Sequence, residues 1–174
     1  MEKLTLASYI ISDKKYAVRD LNKIDRSKFV NIEDVGQLDP KKLDPDYITG
    51  AIIMNYNDQT ILDYSDWDDL NYFWPYFIDS LDELLENNYS NFSFPSQALP
   101  VNMEIIKDRL TFQVGQRRLN MQASDFYEIV LDEADKFYKA LLELFPRFES
   151  EYNSELQKID QLINKSTKWF SKYG

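Results

Sequence analysis

The steadiest hydrophobic period in the chain lies between residues 70 and 85. Leu70, Phe73, Trp74, Phe77, Ile78, Leu81, Leu84 and Leu85 follow steps of three and one, and at about 100° per residue they gather into one broad arc. The pattern predicts a long helix over roughly Asp66–Asn87, opened by Ser65 with Asp68 three residues on in the manner of a capping box. The opposite arc carries Asp68, Asp69, Tyr72, Tyr76, Asp79, Glu83 and Glu86, with Asp82 on its flank. Pro75 stands beside that polar arc. The carbonyl of Asn71 that it leaves without a donor would face water, so a kink convex to solvent is tolerable there.

Alternation and turn residues organise most of the remainder. Leu4–Ser12 and Tyr16–Arg19 read as strands around a polar turn at Asp13, Lys14 and Lys15. Val30–Pro45 has no period and contains Gly36, Pro40 and Pro45, so it reads as a loop. Tyr47–Tyr56 is apolar and β-branched, and with Asn57 and Asp58 as the turn it should pair with Gln59–Tyr64. Asn88–Pro100 reads as a polar connection to a second hairpin, Val101–Ile106 and Leu110–Val114 about Lys107 and Asp108. A short strand at Arg117–Met121 follows.

Two helices close the chain. Ser124 is expected to cap Asp125–Phe145, whose Phe126, Val130, Ala134, Phe137, Leu141 and Leu144 form one face. Asp132 with Lys136 and Asp135 with Lys139 make i,i+4 pairs on its outer side. Beyond Pro146 the last helix starts near Phe148. It has Glu149 and Glu151 early and Lys165, Lys168 and Lys172 late, a polarity that suits the helix dipole. Phe148, Tyr152, Leu156, Ile159, Ile163 and Phe170 make its stripe. The expected fold class is α+β: a mainly antiparallel sheet of hairpins with one long inserted amphipathic helix and two C-terminal helices. With 174 residues and no repeat or linker, one domain spanning 1–174 is the economical reading.

Charge changes this picture more than composition does. From Leu43 to Ile106 the chain runs 64 residues without a Lys or Arg, and that stretch holds twelve acids. Residues 31–100 carry two basic and fourteen acidic side chains, so nearly all of the net −10 sits in the middle of the chain. Such a field attracts a basic protein partner and repels nucleic acid and anionic lipid. The acidic arc of the 70–85 helix could simply be a solvated outer face. Two features point further. Asp79–Glu86 stays purely acidic where Lys or Arg would suit the dipole, and Tyr72 and Tyr76 lie among the acids, offering rigid amphipathic contact area.

Other chemistry is narrowed by what the chain lacks. It has no Cys and no His, which excludes disulfides, thiolate sites, His general bases and nearly all zinc centres. The only glycines, Gly36, Gly50, Gly115 and Gly174, form no nucleotide-binding loop. An EF-hand register from Asp63 fails, because it puts Trp67 at the fifth position, Asp68 where Gly belongs and Trp74 where the bidentate Glu belongs. Arg117 and Arg118, after Gly115, could anchor an anion, but two adjacent basic residues in a strand connection read first as a solvated turn. Trp67 precedes the apolar stripe and is the one Trp expected to be exposed. The N-terminus lacks the pattern of a signal peptide and no stretch approaches the length of a membrane span, so a cytoplasmic protein is expected. No cofactor, metal or catalytic residue is assigned, and oligomeric state is left open.

The run from Trp67 to Glu86 (WDDLNYFWPYFIDSLDELLE), followed by Phe94 to Pro100 (FPSQALP), a hairpin and a Phe/Tyr-rich helix, resembles small acidic bacterial proteins of the immunity type that accompany polymorphic or contact-delivered toxins. The resemblance covers about residues 47–145. Where an acid would be expected within the Phe-Pro-x-Gln turn, this chain has Ser96. It implies a cognate toxin or effector that is bound and blocked at its active site or an essential surface. The first expectation is therefore a non-enzymatic acidic binding protein, with Asp68, Asp69, Tyr72, Tyr76, Asp79, Asp82, Glu83 and Glu86 as its partner-binding face. A second is a phage or mobile-element inhibitor of a host defence protein, imitating the charge of nucleic acid. A third is a carboxylate-based enzyme, Mg-dependent or glycosidase-like, which would need two acids brought together in a concave pocket.

Overall fold

In the computed structural model, which describes residues 3–173, the chain forms two antiparallel sheets and three long helices. Met1, Glu2 and Gly174, the ends of the expected 1–174 domain, lie outside the described residues. Strands β1 (Leu4–Ile11), β2 (Phe29–Asn31), β3 (Thr49–Tyr56) and β4 (Gln59–Leu62) make the first sheet in the order β2-β1-β3-β4. A two-residue strand β5 (Asp68–Asp69) pairs with the far end of β3, Asp69 opposite Thr49 and Asp68 opposite Gly50. Helix α1 (Leu70–Asn87) then leads to the second sheet, a meander of β6 (Tyr89–Ser93), β7 (Pro100–Ile106), β8 (Arg109–Val114) and β9 (Arg117–Gln122). Helices α2 (Ala123–Leu144) and α3 (Glu149–Tyr173) complete the chain.

The α+β class is as expected, but the hairpins separate into two sheets where one was expected. The reason lies in α1. All eight residues of its apolar arc are buried, and so wide an arc needs cover on more than one side. Leu70 lies against β3, close enough that a side chain at Gly50 would meet its Cδ1 at 2.9 Å and the Tyr9 carbonyl at 2.0 Å. Phe73 and Phe77 face the other sheet. Phe73 stands 4.8 Å from Phe94, and Phe77 stands 5.3 Å from Phe92 and 5.8 Å from Phe112. Phe112 meets Phe126 of α2 at 5.5 Å and Trp74 meets Phe137 at 6.1 Å, so aromatic rings join the second sheet, α1 and α2, and the first sheet enters the same buried cluster through Ile10, Ile52 and Met54.

Several local expectations are corrected. Tyr16–Arg19 is not a strand, because both edges of β1 are already taken by β2 and β3. Tyr16, Val18 and Ile24 instead pack on Ile11, Phe29 and Ala51, forming a small second cluster. Val30–Pro45 is not plain loop. It begins in β2 and continues through 3-10 turns at Ile32–Gln37 and Pro40–Lys42, whose first turns are capped by the side chains of Asn31 and Asp39. Asn88–Pro100 contains β6, whose inward face is Ser90 and Phe92, and with a polar Ser at the buried position a single Phe makes no hydrophobic period. The capping box before α1 is formed by Asp63 and Asp66 around the turn Tyr64–Asp66, not by Ser65 and Asp68, and the helix starts at Leu70. Ser124 lies inside α2, which starts at Ala123 without a side-chain cap.

Candidate docking surface

The polar arc of α1 divides into three parts. At its start the acids turn inward. Asp68, expected on the exposed arc, is fully buried. Its carboxylate accepts from the backbone N–H groups of Ser96 (3.0 and 3.1 Å to its two oxygens), Gln97 (3.3 Å) and Asp69 (2.7 Å). Burial raises its pKa, and those N–H donors work against the rise. Asp69 is half-buried and accepts from the Thr49 and Ser96 hydroxyls at 2.7 and 2.8 Å. Gln97 completes the lock, its Nε2 donating to the Trp67 carbonyl at 2.6 Å. Trp67 is accordingly half-buried. This corrects the assignment of Asp68 to a docking face: it fastens the Phe94–Leu99 turn to the start of α1.

The middle part is open. Tyr72 and Tyr76 are 44% and 53% exposed, and Asp79 and Glu83 are exposed one and two turns further on. The fold adds a residue that the periodicity does not. Tyr47, read from sequence as the first residue of a strand, lies outside β3, is 58% exposed, and places its ring 6.1 Å from Tyr72. Asn71 sets that neighbourhood, its Oδ1 accepting from Ile48 N–H and its Nδ2 donating to the Asp46 carbonyl, both at 2.9 Å. Asp79 and Glu83 form no ion pair among the described residues.

At the end of α1 the acids are paired. Lys165, from α3, donates to Asp82 at 2.7 Å and to Glu86 at 2.8 Å. The cation that the dipole favours is therefore present, supplied from another helix. Those two carboxylates hold the Lys165 pKa up, Asp82 more than Glu86. Asp82 and Glu86 thus serve first as a clasp between α1 and α3. The i,i+4 pairs expected on α2 are present, Asp132–Lys136 at 2.8 Å and Asp135–Lys139 at 2.6 Å.

Two more charged groups are internal. Arg117 does not sit in a solvated turn. It makes a two-pronged pair with the buried Asp66, at 2.5 and 2.8 Å, and so ties β9 to the turn before α1. The same carboxylate holds the guanidinium pKa up. Glu133 of α2 is buried and accepts from the Ser8 N–H of β1 at 2.6 Å, and burial raises its pKa against that bond. No group of three or more His, Cys, Asp or Glu side chains poised to hold a metal ion occurs among the described residues. No described helix is long and apolar enough to cross a membrane. Comparison with protein-family models, curated proteins and solved structures gave no match.

Proposed function

We propose that this is a non-enzymatic binding protein of the immunity type, acting in the cytoplasm. It docks a basic toxin or effector protein through Tyr47, Tyr72, Tyr76, Asp79 and Glu83. The observation that carries the reading is the grouping of three exposed tyrosines, drawn from two segments of the chain, beside two acids with no internal cation. Tyr gives interfaces large contact area at low entropic cost, with a hydroxyl left to pair at the rim. Free acids at the edge of such a patch steer a cationic partner and fix its orientation. The acids lie along the outer side of a helix, which suits docking better than the paired carboxylates of hydrolysis. Imitation of nucleic acid asks for a long acidic row, and this row is cut short by the burial of Asp68 and by Lys165.

The test uses immobilised wild-type protein and a Tyr72→Ala, Tyr76→Ala, Asp79→Lys, Glu83→Lys variant, each exposed to lysate of the native cell. The expected result is a basic protein retained by the wild type and lost from the variant. Equal retention, or capture of an acidic protein, contradicts the reading.

A further inference from the structure

The positive charge of the chain also has a place. Lys14, Lys41 and Arg147 come from three separate turns and converge on one cleft of about 450 Å³ with no acid in its lining. Each turn is fixed by the backbone. Lys14 N–H donates to the Lys42 carbonyl at 2.8 Å, Lys41 N–H to the Asp39 carboxylate at 3.0 Å, and Phe148 N–H to the Phe145 carbonyl at 3.0 Å. All three cations are exposed, and none forms an ion pair with a described residue. Leu43 and Phe145 make an apolar floor. Arg147 also lies over the Phe148 ring, 4.8 Å from its centre, so on a protein of net charge −10 the three cations make a local positive patch that an anionic group would complement.

The walls narrow what that is. Pro40, Pro45 and Pro146 line the cleft and have no N–H to donate. A free phosphate, normally cradled by several backbone N–H groups, finds few there, because the N–H groups of Lys14, Lys41, Leu43 and Phe145 are already bonded within the chain. A nucleic-acid strand would meet only three cations, no exposed stacking ring in the lining, and the repulsion of the surrounding acids. Side-chain carboxylates suit lysines on flexible stems and a guanidinium fork, while the floor can take an aliphatic or aromatic side chain.

We propose that this cleft is a second binding site, taking an acidic peptide segment that carries an apolar side chain. The site borders the tyrosine face without sharing its residues. Pro45 lines the cleft two positions before Tyr47.

The test is an amide-shift titration of the ¹⁵N-labelled protein with an acetylated Asp-Phe-Glu-Glu-Leu peptide. Three controls accompany it: the Asn/Gln version of the peptide, inorganic phosphate, and oligothymidylate. Saturable shifts at Lys14, Lys41, Leu43, Phe145 and Arg147 are expected with the acidic peptide alone, weakening severalfold as salt rises past about 0.2 M. A K14E/K41E/R147E variant should bind about tenfold more weakly or worse, equivalent to about 1.4 kcal/mol or more. The neutral peptide keeps the test independent of that variant's folding. Shifts equal with the neutral peptide, tighter binding of oligothymidylate or of phosphate at the same amides, no saturable shift, or unchanged affinity in the variant would each overturn the proposal.

Discussion

The acids just before α1 and those along its outer face belong to one basic-free stretch, and they work in opposite directions. Asp66 and Asp68 are buried and fully engaged, one by the Arg117 guanidinium and the other by the N–H groups of Ser96 and Gln97. Asp79 and Glu83 face water and engage no described cation. Residue type and local charge density are the same in both places. What separates them is whether a donor from a distant part of the chain reaches the carboxylate. A buried acid that receives such donors is structural, and its removal strands them. One that receives none is available to a partner.

The first way to break the comparison is Asp68→Ala. It takes the acceptor from three partly buried N–H groups, those of Ser96, Gln97 and Asp69, and a loss of about 3 kcal/mol is expected in urea unfolding. Arg117→Ala leaves Asp66 buried and unpaired. Because Arg117 is partly exposed, the expected cost is about 2 kcal/mol, below that of breaking a fully buried pair. Lys165→Ala, on an open clasp, should cost about 0.5 kcal/mol and less at high salt. Asp79→Lys with Glu83→Lys should stay within about 0.5 kcal/mol of wild type, since those side chains hold nothing in place. A cost for the double change as large as that for Asp68→Ala would erase the distinction.

A pH titration sharpens it. Asp68 and Glu133 are both raised, chiefly by burial. The folded protein then holds their protons more firmly than the unfolded chain does. Their contribution is fullest below the unfolded carboxyl range and is lost as pH rises through the raised folded values. Glu133→Gln keeps an acceptor for Ser8 N–H and removes one of these titrations. Its loss of stability between about pH 4 and about pH 7 should therefore be shallower than that of wild type. Parallel curves would contradict the internal role of Glu133.

Much of this was legible in the chain. The arc of α1, both expected hairpins and the outer pairs of α2 follow from period and turn chemistry, because each depends on residues close in sequence. In those turns Asn57 and Lys107 adopt the left-handed conformation. What was not legible depends on distant partners. No local signal announces that Asp68 will meet the amides of Ser96 and Gln97, that Lys165 will reach back to Asp82 and Glu86, or that Tyr47 will lie beside Tyr72. The candidate face thus lost Asp68 to the interior, Asp69 to the Thr49 and Ser96 hydroxyls, and Asp82 and Glu86 to α3, and it gained Tyr47.

The central claim is that Tyr47, Tyr72, Tyr76, Asp79 and Glu83 form a docking face for a basic protein. Its most direct test is the association rate of that partner, measured against ionic strength for wild type and for Asp79→Lys with Glu83→Lys. The account predicts a wild-type rate that falls about tenfold between about 0.05 and 0.5 M salt, and a variant that is slow and nearly insensitive to salt. Identical rates with identical salt dependence would contradict it.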